Sequence, residues 1–429
     1  MINATANLSE SAAHTGYAKQ IGTVGAFFFI FGFVTWVNGT LIPYLLIACQ
    51  LEEWQAYLVT FAFYISYTVM ALPSSKILVR TGMIKGMRIG LIIMATGCLI
   101  FIPAALMRYY PIFLLGLFVV GTGTTLLQTA VNPYITLLGP ASKAAQRMSI
   151  MGICNKLAGV VAPIILGAII LNNSGDLVKE LAQYSPADKM ARLNELARAV
   201  IMPYSVLCVI LLVIAFVIKY AHLPEIEPVI APDDHLTSQP VTQKNNINFF
   251  LGFIAVFCTV GLEVLAGDTI GNYGLYQGYN LNIAKSLTSY TLACTVVGYV
   301  FGSFAIPKII SQEKAFRYSA MLGIVIAILV VVIPGKTSVA FIAMLGLSNA
   351  LLWPAIWPQA LKGLSGAQLS RGSALLIMGV AGGAIMPLVY GWLARSTNNQ
   401  IAYLLLLPCY LFNLYYCLRH TNNTTKTNG

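Results

Sequence analysis

The chain has 429 residues, 58% of them hydrophobic and 9% charged, with 25 Lys plus Arg against 14 Asp plus Glu and a formal net charge of +11. A typical soluble domain is about 25% charged, so most soluble readings are excluded. The basic residues stand singly or in small groups between long apolar runs, not in the patch that nucleic acid requires. The composition points to an all-α polytopic membrane protein.

About twenty polar and small residues come first, without the basic start and short apolar core of a cleaved signal peptide. A spanning helix takes about 20 apolar residues. Twelve such runs are predicted, over 22–48, 55–79, 86–107, 111–138, 147–171, 199–221, 249–276, 283–310, 316–333, 339–362, 371–395 and 401–418. Short polar turns join most of them. The connection 172–198 mixes both charge signs and is long enough for a short surface helix. The segment 222–248 contains Pro224, Pro228, Pro232 and Pro240 and reads as a flexible linker. The chain thus divides into an N-terminal six-helix half (1–221), the linker (222–248) and a C-terminal six-helix half (249–429).

Charge asymmetry orients the bundle. With the N-terminus on the cytoplasmic side, sixteen Lys and Arg fall there and eight on the other side. Four of those eight lie in the long loop, where the positive-inside rule is weakest. Both termini and the linker are therefore expected in the cytoplasm, and the net charge is an orientation signal.

The halves repeat each other. Arg147, Ser149, Gly159, Pro163 and Gly167 recur at an offset of 224 as Arg371, Ser373, Gly383, Pro387 and Gly391. Gly121, Leu126, Leu127, Ala130 and Pro133 recur at an offset of 225 as Gly346, Leu351, Leu352, Ala355 and Pro358. A parallel repeat of two six-helix units is a transporter architecture, with the substrate near the midplane between the halves. Small residues and Pro in paired spans let helices approach closely and bend.

Charge inside the membrane is scarce. Twelve of the 14 acids fall in tails, loops or span ends, leaving Glu263 and Asp268; of the 25 bases only Lys156 remains. A charge near the bilayer centre costs at least about 2.5–3.5 kcal/mol, so such residues are functional candidates. At about 1.5 Å per residue, Glu263 lies about 20 Å and Lys156 about 13 Å from the cytoplasmic side, a difference that does not assure an ion pair. Glu263 and Asp268 are about 140° apart on a straight helix and face different ways unless Gly267 or Gly271 breaks it. Glu263 is read as the coupling group for a proton or other cation, since a shielded carboxylate can load and release a proton. Asp268 is read first as a structural or interface group and Lys156 as a structural or gating cation, with a part in coupling as the alternative for both.

Uncharged polar groups are more numerous. Trp36 and Asn38 stand in the first span, Asn155 in the fifth and Asn272 in the seventh. Gln128 and Asn132 in the fourth share a helix face, as do Trp353 and Trp357 in the tenth. By the repeat, the two indoles stand where the two amides stand. Amides donate and accept hydrogen bonds, and flat aromatic rings suit the C–H face of a pyranose. These eight residues suggest a site for an uncharged polar solute such as a sugar. Bonding between helices is their alternative role.

At these residues the chain resembles the fucose/glucose/galactose:proton symporter family of the major facilitator superfamily. The resemblance rests on FGFVTWVNGTLIPYL at Phe31–Leu45, LLQTAVNPYITLLGP at Leu126–Pro140 and AGGAIMPLVYGWLA at Ala381–Ala394. Within the family it is most similar to the N-acetylglucosamine permease branch, through WVNGT, RMSIMGICNK, EVLAGDTIGNYG and NALLWPAIWP. The branch implies amino-sugar import across a bacterial inner membrane. Glucose, galactose or fucose are the alternatives, and H⁺ or Na⁺ the co-transported ion. The chain departs from the fucose symporters in two places. Gly39 stands where they carry an Asp, and Gln128 where they carry a Glu, which shifts weight onto Glu263.

An exporter of lipophilic compounds is a competing reading, disfavoured by the amides of the fourth span. A sensor or an enzyme has less support. The sequence has no nucleophile–base pair, phosphate loop or metal-ligand spacing, and its eight cysteines form no CxxC or Cys/His cluster. No cofactor is called for, and a monomer in contact with membrane lipid suffices.

Overall fold

The computed structural model describes residues 20–138, 144–170, 183–220, 243–306, 309–361 and 375–425, with residues 177, 181 and 372. Among the described residues, twelve helices are long and apolar enough to cross a membrane. Spans 1 to 6 are Gln20–Ala48, Glu53–Thr81, Met83–Met107, Tyr110–Asn132, Ile150–Ile170 and Pro186–Tyr220. Spans 7 to 12 are Ile247–Asp268, Leu281–Ala305, Gln312–Val332, Lys336–Trp357, Leu375–Ser396 and Ile401–Arg419. The expected all-α, twelve-span architecture is therefore present. The loop helix lies at Pro186–Arg198, with Ser185 accepting a hydrogen bond from the Asp188 amide at its N-terminus. The helix of span 7 begins at Gln243, inside the segment read as linker. Most of that linker, and Arg371 and Ser373 of the repeat, lie outside the described residues.

Packing follows the repeat. Span 3 packs on spans 4 and 6, and span 2 on span 4; span 9 packs on spans 10 and 12, and span 8 on span 10. The repeated glycines explain how. A β-carbon at Gly121 would run into Phe63 and Ser66 of span 2, and one at Gly346 into Thr291 and Thr295 of span 8. Gly thus permits backbone contact inside each half.

The other glycine pairs serve the seam between the halves. Gly159 packs on Trp36 and on Leu292 of span 8, and Gly167 on the Lys285 stem. Their repeats Gly383 and Gly391 pack on Tyr64 and Tyr57 of span 2. Among the described residues, the extended packing between the halves is span 1 with 7, span 5 with 8, and span 2 with 11. Each lies toward the face away from the chain termini. Ser289 Oγ donates to the Val160 carbonyl at 2.7 Å and Thr40 Oγ1 to the Lys285 carbonyl at 3.3 Å. Arg395 pairs with Glu52 at 3.2 Å near the rim. Among the described residues, span 4 has no extended packing with spans 10 or 11, and span 10 has none with span 5. Among the described residues the bundle is closed at one face and parted toward the opposite face, where Gln20 and Arg419 lie.

Spans 1, 7, 10 and 11 carry the interruptions that bear on the site. Span 1 turns at Val37 before a second helix Asn38–Ala48. Span 7 stops at Asp268 and continues as Ile270–Tyr276. Span 10 breaks after Asn349 and resumes as Leu352–Ala360. Pro354 explains that break, because a proline ring clashes with the carbonyl four residues back, here Ala350. Span 11 has a single 3₁₀ turn at Gly379–Ala381. In span 7 the carbonyls at the break are taken up by span 8. Thr288 Oγ1 donates to Gly267 O at 2.7 Å and Thr291 Oγ1 to Ala266 O at 3.4 Å.

Candidate functional site

The three membrane-embedded charges meet at the seam in two separate arrangements. Lys156 of span 5 forms a direct ion pair with Glu263 of span 7, so the pair bridges the halves. Depth counted along the sequence did not assure this contact. Residue counts ignore helix tilt and the reach of a four-methylene stem, which together close the gap. The side chains are 9% and 20% exposed, so Glu263 retains access to the interior space while Lys156 is nearly enclosed. The same ammonium lies 4.5 Å from the centroid of the Trp36 ring, within cation–π range.

Trp36 is held from three sides. Lys156 caps it, and β-carbons at Gly159 and Gly267 would sit 2.6 and 2.7 Å from its ring atoms. The indole is 2% exposed, so here it is a wedge between the halves rather than an open platform.

Asp268 faces elsewhere, as the helical spacing requires. The break in span 7 does not bring it round to Glu263. It is fully buried against span 2, with Thr60 Oγ1 donating to its Oδ2 at 3.2 Å and its Oδ1 unpartnered. Asn38 and Asn272, placed just after the breaks in spans 1 and 7, are also buried; both ends of the Asn38 amide lack a partner, and the Asn272 amide stands against the Tyr57 hydroxyl. All three are sealed at the closed face.

The remaining candidates stand toward the parted face and are half-buried. Gln128 Nε2 donates to the Tyr67 hydroxyl at 2.8 Å. Asn132 follows one turn on. Trp353 and Trp357 stack on each other, centroids 5.2 Å apart at 29°. Asn155 is different: its Nδ2 reaches the Phe28 carbonyl at 3.4 Å and Gly32 packs on it, so it joins span 5 to span 1. The expected single polar site is thus two layers, a sealed one at Asn38, Asn272 and Asp268 and a partly open one at Gln128, Asn132, Trp353 and Trp357. The Lys156–Glu263 pair and Trp36 complete the inter-half contacts.

One stripe on span 2 escaped sequence reasoning. Tyr57, Thr60, Tyr64 and Tyr67 recur at helical spacing and form a single face. Tyr57 packs edge-on to Tyr390 (5.6 Å), which in turn contacts Tyr403 (4.7 Å). Tyr403 shares a 2.6 Å hydrogen bond with Thr269 at the span 7 break. This stripe reaches the other half at the top and Gln128 at the bottom. Its periodicity was visible, but ordinary core packing explains such a pattern equally well.

A family model described as Major Facilitator Superfamily matches residues 24–385. A glucose/galactose transporter of Brucella abortus (biovar 1, strain 9-941) is 31% identical over 416 residues, covering 96% of each chain. The L-fucose-proton symporter of Escherichia coli (strain K12) is 24% identical over 422 residues, covering 96% of this chain and 95% of its own. The crystal structure of FucP in the outward conformation superposes with a TM-score of 0.73 at 23% identity, over 94% of this chain and 99% of that one.

Proposed function

The chain belongs to the Major Facilitator Superfamily, and we propose that it imports a sugar together with a cation by alternating access. One observation carries the reading. Gln128 and Asn132 on span 4 and the stacked Trp353 and Trp357 on span 10 belong to opposite halves, and all four are half-buried where the bundle is parted. Amides hold hydroxyls, and indoles cover the apolar face of a pyranose. The sealed layer, with Trp36, Asn38 and Asn272, meets the sugar when the closed face opens, and Asn155 supports span 1.

The positive-inside count makes the terminal face cytoplasmic, so the arrangement is inward-facing. The membrane is then a bacterial inner membrane, and the units that rock are 1–221 and 249–429 about the linker. Lys156, Glu263 and Asp268 provide the coupling, because they are the ionisable groups within the spans that meet at the seam. H⁺ is the favoured ion, as the name of the Escherichia coli relative supports, with Na⁺ as the alternative.

N-acetylglucosamine is the favoured sugar, on the motifs of that permease branch. Glucose and galactose are the second reading, favoured by the Brucella relative. The test is uptake of labelled N-acetylglucosamine into proteoliposomes under an inward proton gradient, with excess glucose, galactose and fucose as competitors. Gradient-driven uptake that resists the competitors is expected. Uptake of labelled glucose without N-acetylglucosamine uptake transfers the assignment to the second reading.

A further inference from the structure

The two acids of span 7 differ in one decisive respect. Glu263 has a counter-ion, Lys156, and their charges cancel. Asp268 has none. It is 0% exposed, and its single hydrogen bond is the 3.2 Å contact from Thr60. Its other oxygen has no partner. Among the described residues no lysine, arginine or histidine pairs with it; the ion pairs there are Lys156–Glu263, Arg192–Glu195 and Arg395–Glu52.

The titratable groups in electrostatic contact with it are Tyr64 of span 2 and Glu263 of its own helix, and Tyr403 of span 12 bonds to its neighbour Thr269. None of them brings positive charge. A bare carboxylate in such a place lacks both solvation and compensation, and buried ions do not persist without one of them. In the closed-face state Asp268 therefore holds a cation of its own.

We propose that Asp268 is the carrier of the coupling cation, while the Lys156–Glu263 pair is the latch between the halves. The inference rests on the cation-coupled reading above and divides its labour. Geometry gives the cycle its order. Asp268 lies where span 2 meets spans 7 and 11, the seam that must part when the closed face opens. Opening brings water to the carboxylate and lets it exchange its cation; closing occludes what it holds. The Asn272 amide, four residues further along span 7, lies in the same sealed layer. Asn38 lies sealed beyond the break in span 1, the stretch that packs against span 7. A proton needs only the carboxyl, whereas Na⁺ needs further oxygens about it.

A sugar-free measurement separates this from the transport reading. Infrared difference spectra of the purified protein, taken between acid and alkaline pH in choline chloride, report the C=O stretch of protonated carboxyl groups. A band present in the wild type, absent in Asp268→Asn and kept in Glu263→Gln is expected. Loss of that band on replacing choline by Na⁺ at fixed pH makes Na⁺ the occupant; insensitivity to Na⁺ makes it the proton. Asp268→Glu keeps a carboxyl and retains a shifted band, which guards against misfolding of the Asn variant.

In proteoliposomes, Asp268→Asn is expected to exchange sugar across the membrane but to lose accumulation against a gradient, at least tenfold below wild type. A band that survives in Asp268→Asn and vanishes in Glu263→Gln overturns the assignment. So does undiminished accumulation by Asp268→Asn. Failure of the wild type to move any sugar refutes the transport reading and leaves the spectral test standing.

Discussion

Gly267→Ala tests whether the Trp36 wedge sets the balance between open and closed states. The new β-carbon would lie 2.7 Å from Cζ3 of Trp36 and 3.4 Å from Cε3. The ring has nowhere to go. Its opposite edge abuts Gly159, where a β-carbon would come within 2.6 Å of Cδ1, and the Lys156 ammonium sits 4.5 Å from its centroid. Relief requires spans 1 and 7 to move apart, and these belong to different halves. Overpacking of a tight site costs about 1–3 kcal/mol, which at 1.4 kcal/mol per decade shifts the closed-to-open ratio by about 5- to 150-fold. The reporter is Thr40→Cys in a cysteine-free background, since Thr40 is fully buried at the closed face. Its labelling by a membrane-impermeant thiol reagent should quicken by that factor in Gly267→Ala. Trimming the ring as well, with Trp36→Leu, should return the rate toward the parent. Unchanged labelling in Gly267→Ala, or no reversal by Trp36→Leu, refutes the wedge.

Three further outcomes are expected. Lys156→Met and Glu263→Gln should each lower the melting temperature of the detergent-purified protein more than the double variant does. Breaking a buried pair costs up to about 3–5 kcal/mol, whereas removing both charges is nearly neutral; additive losses would count against a latch. Trp353→Ala should weaken equilibrium sugar binding about 2- to 12-fold, the worth of an aromatic contact at about 0.5–1.5 kcal/mol, with Trp353→Phe losing less; equal binding by all three would remove Trp353 from the site. Glu52→Gln should change the labelling rate of Thr40→Cys by less than about fivefold, because the Arg395 pair is 67% and 58% exposed and such pairs contribute about 0–1 kcal/mol; a larger change would make this rim pair a gate.

Much of this protein is legible along the chain. Twelve apolar runs, the duplicated glycines and the three stranded charges are one-dimensional signals, because a bilayer demands long apolar helices and penalises each exception. The duplication even identifies the seam residues: Gly159 and Gly383, spaced alike in sequence, both pack on side chains of the other half, Leu292 and Tyr64. The helical angle between Glu263 and Asp268 likewise separates their surroundings before any coordinates.

Tertiary structure decided the rest. Whether Lys156 reaches Glu263 depends on tilt and side-chain length, which depth counting cannot supply. Whether Trp36, Asn38 and Asn272 line an open site or a sealed one depends on which face is closed, a property of how two halves rest on each other. Asp268 changed most. In sequence it is a second acid near a span end; in the fold it is a fully buried carboxylate with one hydroxyl for company. Burial and the absence of a counter-ion are relations between distant segments, here residues 60 and 268, and only packing brings those segments together.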